Sequence, residues 1–299
     1  MEEVTVLLST YNGEKYLSEQ LNSILYQENV EINIFARDDS STDLTINILN
    51  KYNIRYYCGN NIGAKNSFFD LIKRVPLNTE YYAFSDQDDI WLKDKLFIAI
   101  QKLEKTINVP SVYFCERKLL IGDAEKNVTC CNESIKFPNV FFKSVAAGCT
   151  IVLNKKMMFL LKQYTPLYAA MHDSWIIILA SLFGNVIYDK RPHILYRIHD
   201  NNVVGLSKST GDRIKEFIRR ILKDDDCTLK RSLLSKDLLK GYYKELNKID
   251  KKNFLLIKLL ARDNKNIFCK IRLFFFPRKF SKKIIDDFAI RIQMIRGVI

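Results

Sequence analysis

Short apolar, often β-branched runs alternate with stretches of helical spacing four times between Val4 and Lys105. Val4–Ser9 reads as a buried first strand, and Leu17, Leu21, Ile24 and Leu25 then recur on one helical face. Ile32–Ala36 predicts a second strand that stops at the polar string Asp38–Asp43, whose side chains can cap a helix over Leu44–Tyr52. Ile54–Cys58 and a helix from Asn66 to Val75 form the third pair; Tyr81–Phe84 and Lys93–Lys105 form the fourth. Repeated strand–loop–helix units of this length predict an α/β fold, a mostly parallel sheet with flanking helices on both faces.

The pattern loosens afterwards. Val112–Ile121 reads as a strand and 122–138 as a variable loop. Ala146–Leu153 reads as a strand entered through Gly148, where a ligand or another backbone can approach closely. Lys155–Gln163 and Ser174–Phe183 read as helices, and Val186–Tyr188 and Ile194–Ile198 as two short strands, the second delivering Arg197 and His199. From about Ser207 glycine nearly vanishes, lysine and arginine rise and helical spacing takes over, as at Ile214, Phe217, Ile218 and Ile221. The loop from Gly205 to Gly211 therefore divides a first domain, residues 1–205, from a basic, all-helical C-terminal region, residues 206–299.

The net charge of +13 calls for an anionic partner: nucleotide phosphates, nucleic acid or an anionic membrane. Seven cysteines with no CxxC pair read as reduced thiols of a cytoplasmic protein rather than a disulfide framework. The chain runs straight into its first strand, without a signal peptide, and its longest apolar run, Trp175–Phe183, is too short to span a bilayer. Ile267–Ile299 mixes Phe274–Phe276 with Lys270, Arg272, Arg278, Lys279, Lys282 and Lys283. Such a segment either lies peripherally on an anionic membrane or packs on the first domain with a solvated basic face.

The chemistry concentrates at Ser85-Asp86-Gln87-Asp88-Asp89, directly after the fourth strand. In an open α/β sheet that edge is where ligands bind. Carboxylates this dense repel one another unless paired, and hard oxygen ligands of this kind suit Mg²⁺ or Mn²⁺, with substrate phosphates completing the shell. The first loop carries one glycine and no GxGxxG, and no P-loop is present, so a bound cation is the natural phosphate-binding device. Asp89 fits equally well as a cap for the helix that follows.

Four motifs in order, spanning Val4 to Gly205, together resemble the family 2 glycosyltransferases, enzymes of GT-A fold that use nucleotide-sugar donors. Ser9-Thr10-Tyr11-Asn12-Gly13-Glu14 matches the family's opening strand and loop, which implies that Thr10, Tyr11, Asn12 and Glu14 line the nucleotide, with Tyr11 a flat surface for the base. Asp38-Asp39-Ser40-Ser41 matches the family's Asp-Asp-Gly-Ser with Ser40 in place of glycine, implying that Asp39 accepts a hydrogen bond from the base ring N–H of a uracil or thymine. The acidic cluster matches the family's DxD: Asp86 faces the ribose or metal shell and Asp88 ligates the cation on the diphosphate. Lys65 stands where family members place polar or basic donor contacts, although an ordinary surface lysine fits it as well, and Gly148 joins the donor-side set.

His172-Asp173 matches the family's base motif, with His172 where an acidic residue is usual, as in the rhamnosyltransferase-like subgroup. The resemblance makes Asp173 the general base. An aspartate against Trp175 and an apolar helix can have its pKa raised into a useful range, and an N-cap role is compatible with that. Arg197-Ile198-His199 resembles the family's C-terminal flap, where His199 would complete the metal shell. The tryptophan motif of processive members is missing, favouring transfer of a single sugar. The resemblance implies rhamnose among the candidate sugars and a glycan or lipid-linked acceptor in bacterial surface polysaccharide synthesis. The alternatives are an inactive nucleotide-sugar-binding scaffold and, further off, a nucleic-acid-binding protein. A sugar nucleotidyltransferase would need a glycine- and lysine-rich loop after the first strand, which this chain lacks.

Overall fold

The computed structural model describes residues 1–128, 131, 133–199, 226–262 and 266–296. The boundary expected in the 205–211 loop, the helical spacing over 214–221, the 200–202 loop and the last three residues lie outside the described residues, as do parts of the 122–138 loop. Two compact units are present: Met1–Asn132 with Val145–Thr165 and Ala170–Asp200, and Glu133–Ser144 with Pro166–Ala169 and Asn201–Ile299. The helical unit thus includes two segments that precede residue 205.

The first unit is built on one nine-stranded sheet: β1 Glu2–Thr10, β2 Val30–Asp38, β3 Arg55–Cys58, β4 Tyr81–Ser85, β5 Ile90–Trp91, β6 Ser111–Ile121, β7 Ala124–Asn127, β8 Ile151–Asn154 and β9 Asn185–Arg197. The strand order is β3-β2-β1-β4-β8-β6-β9-β5, with β7 paired to β6. The first four strands in this order are parallel. Beyond β4 the pairing is mixed: β8 runs antiparallel to both β4 and β6, and only β6 and β9 are parallel. The expected parallel arrangement therefore holds for the half of the sheet built from strand–helix repeats, where helical crossovers impose it.

Helices α1 Leu17–Leu25, α2 Thr45–Lys51, α3 Gly63–Arg74, α4 Lys95–Leu103, α5 Lys155–Lys162 and α6 His172–Phe183 accompany the sheet. Val4, Val6 and Leu8 share a buried cluster with Leu17, Leu21 and Ile24 of α1. On α3, Phe68 meets the Phe84 ring of β4 edge-on, 6.0 Å between centroids. The register pairs Thr10 with Asp38 and Leu8 with Ser85, so β1, β2 and β4 end along one edge of the sheet. Three loops leave that edge side by side.

Two expectations are corrected. Val186–Tyr188 and Ile194–Arg197 belong to one strand, β9, which ends one residue before Ile198 and passes register shifts opposite Cys115–Lys118. At that irregularity Asp189 accepts from the Arg191 N–H, 3.0 Å, and from its guanidinium, 2.8 Å, so polar residues inside the strand are satisfied locally. The Gly148 region is a 3₁₀ turn, Gly148–Thr150, with β8 starting only at Ile151.

The second unit holds a helical turn at Asn139–Phe142 and helices α7 Asp226–Leu246, α8 Lys251–Leu260, α9 Ile267–Phe274 and α10 Ile284–Arg296. Helix α7 breaks at Tyr242, and Asp250 and Asn266 cap α8 and α9 through their side chains. No helix among the described residues is long and apolar enough to cross a membrane.

Asn154, fully buried, joins three elements of the first unit. Its Oδ1 accepts the Met157 N–H at the start of α5 and the Ser111 N–H at the start of β6, both at 3.0 Å, and its Nδ2 donates to the Val109 carbonyl at 2.8 Å. Asn154→Ala leaves the Met157 and Ser111 N–H groups without this acceptor in the interior, and is expected to lower unfolding stability by about 2–4 kcal/mol in urea titrations.

Candidate active site

The loops after β1 and β2 are tied together by the side chains that the motifs contain. Thr10, buried, donates through Oγ1 to Asp38 Oδ1, 2.8 Å, and Asp38 also accepts the backbone N–H and hydroxyl of Ser41. Asn12 Oδ1 accepts the Thr42 N–H, 2.8 Å, and Glu14 Oε2 accepts the Leu44 N–H, 2.9 Å. Thr10, Asn12 and Glu14 thus brace the two loops through their side chains. Tyr11 is different: its side chain is nearly half exposed at the sheet edge.

Asp39 is 2% exposed and has an internal role. Its carboxylate pairs with the Arg37 guanidinium and accepts the N–H groups of Ile62 and Gly63, the latter at 2.8 Å. It therefore organises the turn that starts α3. Lys65, expected in the loop before that helix, lies in its first turn and is partly buried.

The third loop carries the acidic cluster. Gln87, between Asp86 and Asp88, brackets the Tyr11 backbone: its Oε1 accepts the Tyr11 N–H, 2.8 Å, and its Nε2 donates to the Tyr11 carbonyl, 2.9 Å. A Cβ on Gly13 would lie 2.4 Å from Gln87 Oε1, so that close approach explains the glycine. Asp88 Oδ2 lies 2.9 Å from His199 Nε2, bringing together the two residues expected to share a cation. Arg197, at the end of β9, donates from Nε to the Asp88 carbonyl, 2.9 Å, and through its backbone N–H to Asp89 Oδ1, 3.1 Å. Its guanidinium lies over the Tyr16 ring, which His199 also approaches at 5.2 Å.

Asp89 is buried and precedes strand β5, not a helix; Asp94 occupies the N-terminal boundary position of α4. Burial, then the neighbouring Asp88 charge, push its pKa up to about 7. Asp86 is also pushed well above the usual carboxylate range, by burial first and then by the charges of Asp88, Asp89 and Asp173. The opposing charge is Lys95, fully buried, which donates to the Cys149 carbonyl at 2.7 Å and lies over the Trp91 ring. Burial pushes this lysine down to about 7. Ligand atoms of Asp86, Asp89 and Cys149 lie within 4.8 Å of one another. Clustered carboxylates beside one buried lysine, with an imidazole hydrogen-bonded to one of them, fit a hard divalent cation; the Cys149 thiol is the softer and less suited donor.

Asp173 sits in the first turn of α6, and burial pushes its pKa up to about 6 against hydrogen bonds from the Ser174 and Gly148 N–H groups and the charge of Arg117. Its neighbour His172 is a packing residue. The imidazole stacks on Phe68 at 4.0 Å and lies 5.2 Å from Phe84; neither ring nitrogen has a hydrogen-bond partner among the described residues, and burial pushes its pKa down to about 3. The close approach expected at Gly148 is to this ring: a Cβ there would lie 2.4 Å from His172 Nε2.

Residues 5–144 match glycosyl transferase family 2. The chain is 33% identical over 265 residues to the dTDP-rhamnosyl transferase RfbG of Shigella flexneri, covering 79% of this chain and 89% of that protein. The chain belongs to glycosyl transferase family 2. This glycosyltransferase is also 26% identical over 234 residues to the Escherichia coli UDP-Glc:alpha-D-GlcNAc-diphosphoundecaprenol beta-1,3-glucosyltransferase WfaP, covering 74% of this chain and 84% of the relative. Among solved structures, S. aureus TarS 1–349 in complex with UDP-GlcNAc superposes with a TM-score of 0.55 at 18% identity, covering 99% of this chain and 92% of that one, a likeness of fold.

Two residues of this glycosyltransferase site escaped the sequence reading. Lys95 lies in a helix start rich in charge, and nothing local announces that it is buried. Gln87 was visible only as the polar residue between two aspartates. Gln87→Ala should free the Tyr11 loop and raise the donor KM about tenfold, roughly the worth of two lost hydrogen bonds, with kcat within about twofold in initial-rate assays.

Proposed function

We propose that this glycosyltransferase transfers a single sugar, with inversion, from a dTDP- or UDP-sugar to a glycan or lipid-linked acceptor in bacterial surface polysaccharide synthesis. The observation that carries this reading is the pairing of Asp88 with His199 at 2.9 Å at the β4 edge, where the Asp173 charge is felt by Asp86. RfbG bears the name of a dTDP-rhamnosyl transferase and WfaP that of a glucosyltransferase acting on a diphosphoundecaprenol-linked sugar, which supports both the nucleotide donor and the lipid-linked acceptor. In this reading residues 1–205 form the catalytic domain and 206–299 a helical extension, and the protein works at the cytoplasmic face of the membrane.

The exposed Tyr11 ring faces the base, held by Gln87. Asp39 fixes the Ile62–Gly63 turn beside the base and meets the base N–H with the acceptor capacity left on its carboxylate. Thr10, Asn12 and Glu14 keep the Tyr11 loop in place, Lys65 offers a donor contact from the first turn of α3, and Gly148 supplies an N–H to Asp173. Asp88 and His199, with Asp86 alongside, would hold Mn²⁺ or Mg²⁺, which supplies Lewis-acid neutralisation of the diphosphate leaving group. Asp173 takes the proton of the acceptor hydroxyl as that oxygen forms its bond to the anomeric carbon. The anomeric C–O bond to the diphosphate breaks, and its electron pair leaves with the nucleoside diphosphate.

Asp173→Asn is expected to lower the transfer rate by about 10²–10⁴-fold while leaving nucleotide affinity unchanged; near-normal turnover would remove the base assignment. Because a base works only when deprotonated, kcat/KM of the native enzyme should fall as pH drops through about 6, the value to which burial lifts Asp173. A rate profile flat down to pH 5 would contradict that role.

A further inference from the structure

Among the described residues, twenty large apolar side chains are exposed; seven of them fall on helices α9 and α10 of the second unit, and an eighth, Phe275, directly follows α9. On α9, Cys269 and Leu273 face inward and are buried, while Phe268, Ile271 and the following Phe275 recur at three- and four-residue spacing on the opposite side, Phe268 and Phe275 more than 70% exposed. On α10, Ala289, Ile290 and Met294 are buried, while Ile284, Ile285 and Phe288 are exposed, Ile284 at 80%. Both helices are thus apolar on two sides. Phe274 joins the outer stripes, with ring centroids 4.9 Å from Phe275 and 6.4 Å from Phe288. Soluble proteins rarely leave such a continuous patch open without using it.

Within the segment the charge is mostly positive; among the described residues Glu133, which accepts from the Ser281 hydroxyl and the Lys282 N–H, and Asp250, paired with Arg278, are acids that meet it. Residues 267–296 contain eight lysines and arginines against two aspartates, a net charge of +6. Both aspartates are already paired, Asp286 with Lys143 and Asp287 with Arg291. Arg272, Lys279, Lys282, Lys283 and Arg296 remain exposed beside the apolar stripes.

We propose that α9 and α10 form a docking surface for an anionic lipid bilayer, with Phe268, Phe275, Ile284 and Ile285 entering the interface and Lys282 and Lys283 meeting lipid phosphates. A protein partner would cover the aromatic stripe equally well, but an unbalanced cationic rim around it matches a surface that is both apolar and uniformly negative. The proposal concerns the second unit and stands apart from the chemistry of the donor site.

The test is flotation of the full chain with phosphatidylcholine vesicles, with and without phosphatidylglycerol. The chain should float only with the anionic vesicles. Phe275→Ser combined with Ile284→Ser should lower partitioning at least about tenfold. Lys282→Gln and Lys283→Gln should each lower it about fivefold, and added salt should do the same. Donor turnover on a soluble acceptor analogue should be unchanged in every variant, which separates this surface from the transferase reading. Three results would overturn the proposal: no flotation with anionic vesicles, flotation that these variants leave intact, or a native dimer that they convert to monomer without vesicle binding.

Discussion

Asp86 feels the charges of three further carboxylates, Asp88, Asp89 and Asp173, in a largely desolvated region, and the remainder of the site is arranged around that repulsion. Burial raises Asp86, Asp89 and Asp173, and each ionised neighbour raises Asp86 further. The internal relief is partial: the Arg197 N–H and the Cys149 thiol at Asp89, an imidazole beside Asp88, the Ser174 and Gly148 N–H groups and the Arg117 charge at Asp173, and Lys95, whose own charge is weakened by burial. Such a cluster is poorly compensated by protein alone. It is suited to a divalent cation and to a donor diphosphate that needs one.

Around this cluster the structure separates residues that build the site from residues left free to meet a ligand. Thr10, Asp38, Asn12 and Glu14 satisfy one another and the backbone of the second loop; Asp39 does the same for the turn before α3. What the braced loops present outward is the Tyr11 ring, held from behind by Gln87. Rigid loops over a parallel sheet edge need little reordering when a nucleotide binds, and preorganisation of this kind preserves binding energy. His172 contributes by filling space between Phe68 and Phe84, which fixes the start of α6 and so the position of Asp173.

The first half of the fold was legible because each strand there is a short apolar run that ends in a polar break, and register places those breaks along one edge. Asp88 and His199 lie together because both follow strands whose ends the pattern marks, whereas Asp173 stands in the first turn of α6, where burial raises its pKa. Other features were hidden by their non-local causes. Strand β9 looked broken because Asp189, Lys190, Arg191 and Pro192 interrupt its apolar residues, yet Asp189 satisfies the interruption from within. Lys95 reads as a surface lysine in any local window, since only the Cys149 carbonyl and the Trp91 ring, both supplied by tertiary packing, reveal its burial. Asp39 reads only as a ligand-facing acid, because the Ile62–Gly63 turn that it also braces comes from a distant segment. Gly148 suggested space for a ligand, and the space is taken by His172.

The central claim is that the β4 edge is a cation-assisted pyrimidine diphosphate site. Calorimetric titration of dTDP, UDP and GDP into the purified protein, with and without Mn²⁺, tests it most directly. The account predicts that dTDP or UDP binds, that GDP does not, and that binding requires the metal. Absence of binding by either pyrimidine diphosphate in the presence of Mn²⁺, or equal binding without the metal, would contradict it.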